Sequence, residues 1–140
     1  MAVKYADVEP GTAIAPKSYW VTRLDLVKYA GASGDFNPIH WSERIARSVG
    51  LPGVIAHGMY TMAQASKFVA EWAGDPGAVT EFGVRFSAMV PVPDDDRGAA
   101  IEVSGTVADK LGDNKVAVDL TARADGAKVL TRARAVVRLP

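Results

Sequence analysis

Apolar residues recur along the chain in two rhythms. Between about residues 24 and 73 they fall mainly at helical intervals, and beyond residue 78 they alternate with polar ones. Residues 18 to 23, Ser-Tyr-Trp-Val-Thr-Arg, read as a short strand, after which Thr22 can cap a helix with apolar positions Leu24, Leu26, Val27 and Tyr29. That helix is expected to stop before Gly34. Pro38 disfavours helical geometry at Asn37, so Asp35 to Ile39 is predicted as a turn that throws Asp35 and His40 toward a common side. Trp41 to Arg47 reads as a short second helix, with Ser42 as its cap and Gly50, Pro52 and Gly53 as its end.

The longest helical pattern runs from about Gly58 to Ala73. On a helical wheel Thr61, Gln64, Lys67 and Glu71 fall on one side and Met59, Met62, Val69 and Ala73 on the other, with Ser66 in the middle of the apolar side. Past residue 78 four alternating runs follow: Val84 to Val90, Ile101 to Val107, Val116 to Ala122, and Val129 to Val137. Asp94 to Gly98, Gly112-Asp113-Asn114 and Asp125-Gly126 supply the turns, the last being a two-residue hairpin signal. One long apolar helix followed by an antiparallel meander is an α+β plan in which the sheet wraps the helix.

Length and charge narrow the function classes. A chain of 140 residues is read as a single domain, residues 1–140. Sixteen basic and sixteen acidic residues cancel, which removes the overall field that would draw the chain to nucleic acid or to an anionic membrane. With no cysteine there is no disulfide scaffold and no thiolate nucleophile, a composition that fits the cytoplasm. No apolar run approaches the roughly 20 residues of a membrane span, and the first residues lack a signal-peptide core.

The chemistry concentrates around the two histidines. Asp35 and His40, five residues apart across a proline turn, can share a water, one accepting its proton while the other orients it or returns a proton later. The alternative is a turn in which Asp35 caps backbone amides and His40 packs beside Trp41. Asn37 is expected to brace the turn. Gly58 opens the long helix, where its N–H and the helix dipole suit a developing oxyanion, or where a missing side chain simply relieves crowding. His57 is either a further acid or base or a helix-start residue satisfied by backbone. Ser66 stands eight residues beyond Gly58, roughly 12 Å along an ideal helix, so it lines the cavity or braces another polar group. The histidine spacing gives no metal motif, and no Gly-x-Ser-x-Gly elbow is present. Lys128, Leu130, Arg132, Arg134, Val136 and Arg138 share one face of the final run, either a solvated surface or a phosphate patch.

Tyr29-Ala-Gly-Ala-Ser-Gly-Asp-Phe-Asn-Pro-Ile-His40, followed by Ile55-Ala-His-Gly-Met59, resembles the hydratase-2 motif of the MaoC-like (R)-specific enoyl-thioester hydratases and dehydratases. Residues 75 to 93 are similar to the catalytic B subunit of mycobacterial-type (3R)-hydroxyacyl-ACP dehydratases. The resemblance implies a hot-dog fold, catalysis by Asp35 and His40, and a thioester carbonyl bound by the Gly58 N–H. Asn37 and Ser66 take supporting places, Ser66 matching a serine found in some relatives, and no metal or organic cofactor is implied. The implied reaction is reversible dehydration of (3R)-hydroxyacyl thioesters of ACP or CoA in fatty acid elongation. The implied assembly is a dimer with a related hot-dog subunit. A standalone homodimeric hydratase acting on short enoyl-CoA and a non-enzymatic acyl-binding subunit are the alternatives.

Overall fold

The computed structural model describes residues 2–140. From β1 (Ala13–Val21) the chain passes through α1 (Arg23–Ser33), α2 (Glu43–Ser48) and α3 (Gly58–Ala73). Four strands follow: β2 (Val79–Phe86), β3 (Ala99–Gly112), β4 (Lys115–Ala124) and β5 (Ala127–Arg138). The strands form one five-stranded antiparallel sheet in the order β1-β3-β4-β5-β2. Two-residue turns close the β3–β4–β5 meander. Asp113 and Asn114 lie at φ 53° and 57°, and Asp125 and Gly126 at 51° and 77°, the positive values that a tight hairpin loop requires at both central positions.

Alternation on the central strands builds the floor of the core. Ile101, Val103 and Val107 of β3, Val116, Val118 and Ala122 of β4, and Ala135 and Val137 of β5 are fully buried. Against this floor lies α3, which buries Thr61, Ala65, Phe68, Val69 and Ala73, the one- and two-turn spacing of a single stripe. The approach is close at Gly105, where an added Cβ would meet Leu120, Ile14 and Phe68 at 3.0–3.3 Å and oblige them to shift.

The buried stripe of α3 is rotated from the expected one. Thr61, placed by the wheel on the polar side, is 3% exposed, whereas Met59, placed on the apolar side, is 57% exposed. Small side chains such as Ala65 and Ala73 face the nearby sheet, and Met59 lies at the helix's first turn, beyond the sheet's cover. Leu24 and Val27 are likewise exposed, and α1 buries Leu26 and Ala30 instead. β1 begins earlier than expected, at Ala13.

The strand expected to continue to Val90 ends at Phe86. Past it the chain crosses over to pair with the segment before α3. Ala56 N–H donates to the Val90 carbonyl at 2.9 Å and Val92 N–H to the Val54 carbonyl at 3.0 Å, around an Ile55–Pro91 bridge. On β5 the expected common face is broken by a register irregularity, with Arg132 at φ 47°. Leu130 is thereby buried, while Lys128, Arg132, Arg134 and Arg138 stay in solvent. Arg134 pairs with Asp119 at 2.8 Å and Arg138 with Asp113 at 3.1 Å, the behaviour of a solvated charged face.

Candidate active site

The segment between α1 and α3 is built by side chains bonding to backbone. A Thr22–Asp25 capping box starts α1, and Gly34, at φ 79°, ends it with its N–H on the Ala30 carbonyl at 2.9 Å. From there Asp35 Oδ1 accepts the Asn37 N–H and Asn37 Oδ1 accepts the Ile39 N–H, both at 3.2 Å. This ladder feeds the single 3-10 turn Pro38–His40, and Asn37 braces it as the sequence suggested. Trp41 Nε1–H closes the outside of the turn on the Phe36 carbonyl at 3.0 Å. Ser42 then caps α2, accepting the Ile45 N–H.

A second set of contacts fixes the return to α3. Arg23 donates through Nε to the Val92 carbonyl at 2.9 Å and through Nη2 to Glu43 Oε2 at 2.7 Å. Glu43 Oε1 in turn accepts the Val54 N–H at 3.3 Å. The Arg23 guanidinium holds the Glu43 carboxyl below the usual carboxylate range. A Cβ on Gly53 would displace the Glu43 carboxylate from this position. The next carbonyl, Ile55, receives Nδ1 of His40 at 2.7 Å. A carbonyl oxygen only accepts, so His40 carries its proton on Nδ1 and Nε2 is left as the nitrogen available to a substrate.

These constraints gather three ionisable side chains. The Asp35 carboxylate and one ring nitrogen from each of His40 and His57 lie within 4.8 Å of one another. Asp35 is exposed, whereas His40 and His57 are 7% and 1% exposed. The two imidazoles stack with centroids 3.8 Å apart and 23° between their planes. Imidazole lone pairs lie in the ring plane, so nearly parallel rings aim them side by side instead of at the single point a tetrahedral metal requires. Burial, aided by the neighbouring His40, pushes the His57 pKa below its ordinary 6.5.

His40 and Gly58 line a common cavity of about 330 Å³ with Thr61, Phe86 and the Ser87–Val90 segment. As the first residue of α3, Gly58 has an N–H that the helix leaves unpaired, at the positive end of its dipole. A Cβ on Gly58 would press the Phe86 ring at 3.1–3.5 Å, so backbone and cavity wall meet directly here. Ser66, half-buried and two turns along α3, does not line this cavity; the α3 residue bearing a hydroxyl that does is Thr61. Thr61 follows Gly58 by three residues, a spacing that puts both on one helix face, and this is the sequence signal for it.

Residues 6–125 match the model of the MaoC-like domain, and the chain belongs to that family. The 3-hydroxybutyryl-CoA dehydratase of Methylorubrum extorquens is 31% identical over 138 residues, covering 97% of this chain and 83% of that protein. A solved MaoC-like dehydratase superposes with a TM-score of 0.93 at 42% identity, over 99% of this chain and 43% of that longer one. The R-hydratase PhaJ1 from Pseudomonas aeruginosa gives 0.86 at 28% identity, over 99% of this chain and 86% of that one. The sheet curled against α3 is therefore the hot-dog fold. Matches to fungal fatty acid synthase β subunits span only 2–3% of those proteins and 34–48% of this chain.

Proposed function

We propose that this chain catalyses the reversible dehydration of (3R)-hydroxyacyl thioesters, carried on ACP or CoA, to trans-2-enoyl thioesters. The observation that carries the reading is that the Asp35 carboxylate lies within 4.8 Å of a ring nitrogen of His40, while His40 itself shares a cavity with Gly58 at the start of α3. In the hydration direction a water between Asp35 and His40 adds to carbon 3 and a proton goes to carbon 2 on the same face. The Gly58 N–H takes up the charge that moves onto the thioester oxygen. Proton balance allows two divisions: a carboxylate base with an imidazolium donor, or a neutral imidazole base, acting through Nε2, with a carboxylic acid donor. Acid–base help of this kind typically contributes about 10²- to 10⁴-fold and an oxyanion donor about 10²- to 10³-fold, and the mechanism calls on no metal or organic cofactor.

The site's rim supports an assembly. Phe36, Trp41, Met59, Phe86 and Met89, next to Asp35, His40 and Gly58 or lining the cavity, are each about half exposed or more. Large apolar side chains in this density around a site call for a cover. The cover is a related hot-dog subunit, with this chain as the catalytic member of a heterodimer in fatty acid elongation in the cytoplasm.

A second reading has its own support. The nearly full-length similarity to a CoA dehydratase, together with the modest cavity, favours a standalone homodimer acting on short enoyl-CoA. Gel filtration of the isolated chain separates the two: an active homodimer preferring short CoA substrates sinks the heterodimer.

The reaction itself is tested by loss of enoyl-thioester absorbance in wild type, Asp35→Asn and His40→Ala, with any partner subunit present. Wild type turns over and both variants fall by about 10²- to 10⁴-fold. Equal background rates in all three make the chain a non-enzymatic acyl binder instead.

A further inference from the structure

His57 carries an arrangement that the acid–base pair does not account for. It precedes α3, yet its side chain makes no helix-capping bond. Its ring is held among groups from three elements: Tyr29 of α1 at 4.7 Å between centroids, His40 of the 3-10 turn stacked at 3.8 Å, and Asp35 of the loop between them. Tyr60 of α3 backs Tyr29 edge-on at 5.5 Å.

The hydrogen bonds fix the ring's protonation. Nε2 lies 3.2 Å from the Asp35 carbonyl oxygen, which only accepts, so Nε2 bears hydrogen. Nδ1 is buried and has no partner among the described residues. A proton there would leave a buried, charged N–H without a side-chain or backbone acceptor among the described residues, so the ring is neutral with Nδ1 bare.

We propose that His57 is a positioning residue for the Asp35–His40 pair: its Nε2–H tethers the Asp35 peptide, and its neutral ring face fixes the plane of the His40 imidazole. The inference rests on the dehydration reading. Each function answers a specific looseness. The Asp35 segment is exposed, so the tether sets where its carboxylate stands. His40 has one ring hydrogen bond, to Ile55, which fixes a point but not the orientation of the ring; the stack supplies that orientation. Neutrality matters as well. When His40 takes up a proton during turnover, a second cation 3.8 Å away would oppose it, whereas a neutral aromatic face accepts it.

Two measurements test this. Long-range ¹⁵N–¹H spectra of the imidazoles between about pH 6 and 8 show His57 as the neutral Nε2–H tautomer throughout, where an ordinary histidine would be roughly three-quarters protonated at pH 6. The Nδ1–H tautomer, or a charged ring across that range, overturns the proposal. Kinetically, His57→Phe keeps a ring and loses the tether, so kcat falls by about 10- to 100-fold with KM within about 3-fold. His57→Gln, whose amide can reach the Asp35 carbonyl, recovers part of that loss. Wild-type kcat in His57→Phe, or a loss matched by the fraction of unfolded chain in circular dichroism, also overturns it. Should His57→Phe fail to fold, His57→Gln and the wild-type tautomer decide. Absence of turnover in wild type defeats the reaction reading alone, because the spectra do not depend on it.

Discussion

The sheet with α3 and the segment at residues 34–57 hold their shape by different means. In the first, ladders of backbone bonds run between strands and fully buried side chains such as Ile101, Val103 and Val118 fill the space against Phe68 and Val69. The second has one short helix, and its course is set by Asp35, Asn37, Ser42 and Glu43 accepting backbone N–H groups and by Arg23 and His40 donating to carbonyls. Burial energy is distributed over many contacts, so the body can lose one and keep its geometry. The stretch from Asp35 to His40 leans on single side-chain hydrogen bonds, which lack that redundancy. The body thus supplies stability, and the loop segment supplies placement.

Substitutions divide along that line. The largest effect is expected at Asp35→Asn, with about 10²- to 10⁴-fold lower turnover and an unchanged melting temperature, since the side chain is exposed. A melting temperature that drops with the activity would erase the distinction. Next, Ile101→Ala removes a fully buried side chain under α3 and costs about 2–5 kcal/mol in chemical denaturation, with turnover per folded molecule unchanged.

Glu43→Gln probes the join between the two regions. Removing the charge loosens Arg23 and the Val54–Ile55 backbone that carries the acceptor for His40. A loss of about 3- to 10-fold in kcat is expected, with a melting temperature a few degrees lower. Turnover unaffected by this change would show that the Ile55 carbonyl is held by other contacts.

The smallest effect is on the pH dependence of stability. Burial lowers the His57 pKa in the folded chain, so below about pH 6.5 the unfolded chain binds a proton that the folded one refuses. The contribution is complete above that pH and is lost as pH falls toward the lowered folded value. Thermal melts at pH 7.5 and 5.5 should therefore show a larger acid-induced drop for wild type than for His57→Phe; equal drops would place the His57 pKa at its ordinary value.

What the residues revealed in advance follows the same division. The bounds of α3 were legible because helical spacing runs unbroken from Gly58 to Ala73, and the Asp125-Gly126 hairpin because two positive φ angles demand such residues. The Asp35-to-His40 turn was legible from Pro38 and Asn37. The face α3 buries was legible only in part: Val69 and Ala73 lie inside as the wheel placed them, whereas Thr61 and Ala65 are inside for their fit to a nearby sheet, which hydropathy does not encode. The partners of His40 and His57 were not legible, since they come from 15 and 22 residues away in sequence, across a fold that had yet to form.

The strand order also sets a timetable for synthesis. β1 pairs with β3 and β2 with β5, so β1 has no neighbour until residues 99–112, and β2 none until residues 127–138, have left the ribosome. Before then the nascent chain carries α3 with its apolar stripe uncovered. The meander β3–β4–β5, joined by two-residue turns, is the part with the shortest loops to close and the natural nucleus for docking both earlier strands. The proposed acid–base pair and Gly58 all lie before residue 60, so the site they would form depends on the later half of the chain's translation to acquire its shape.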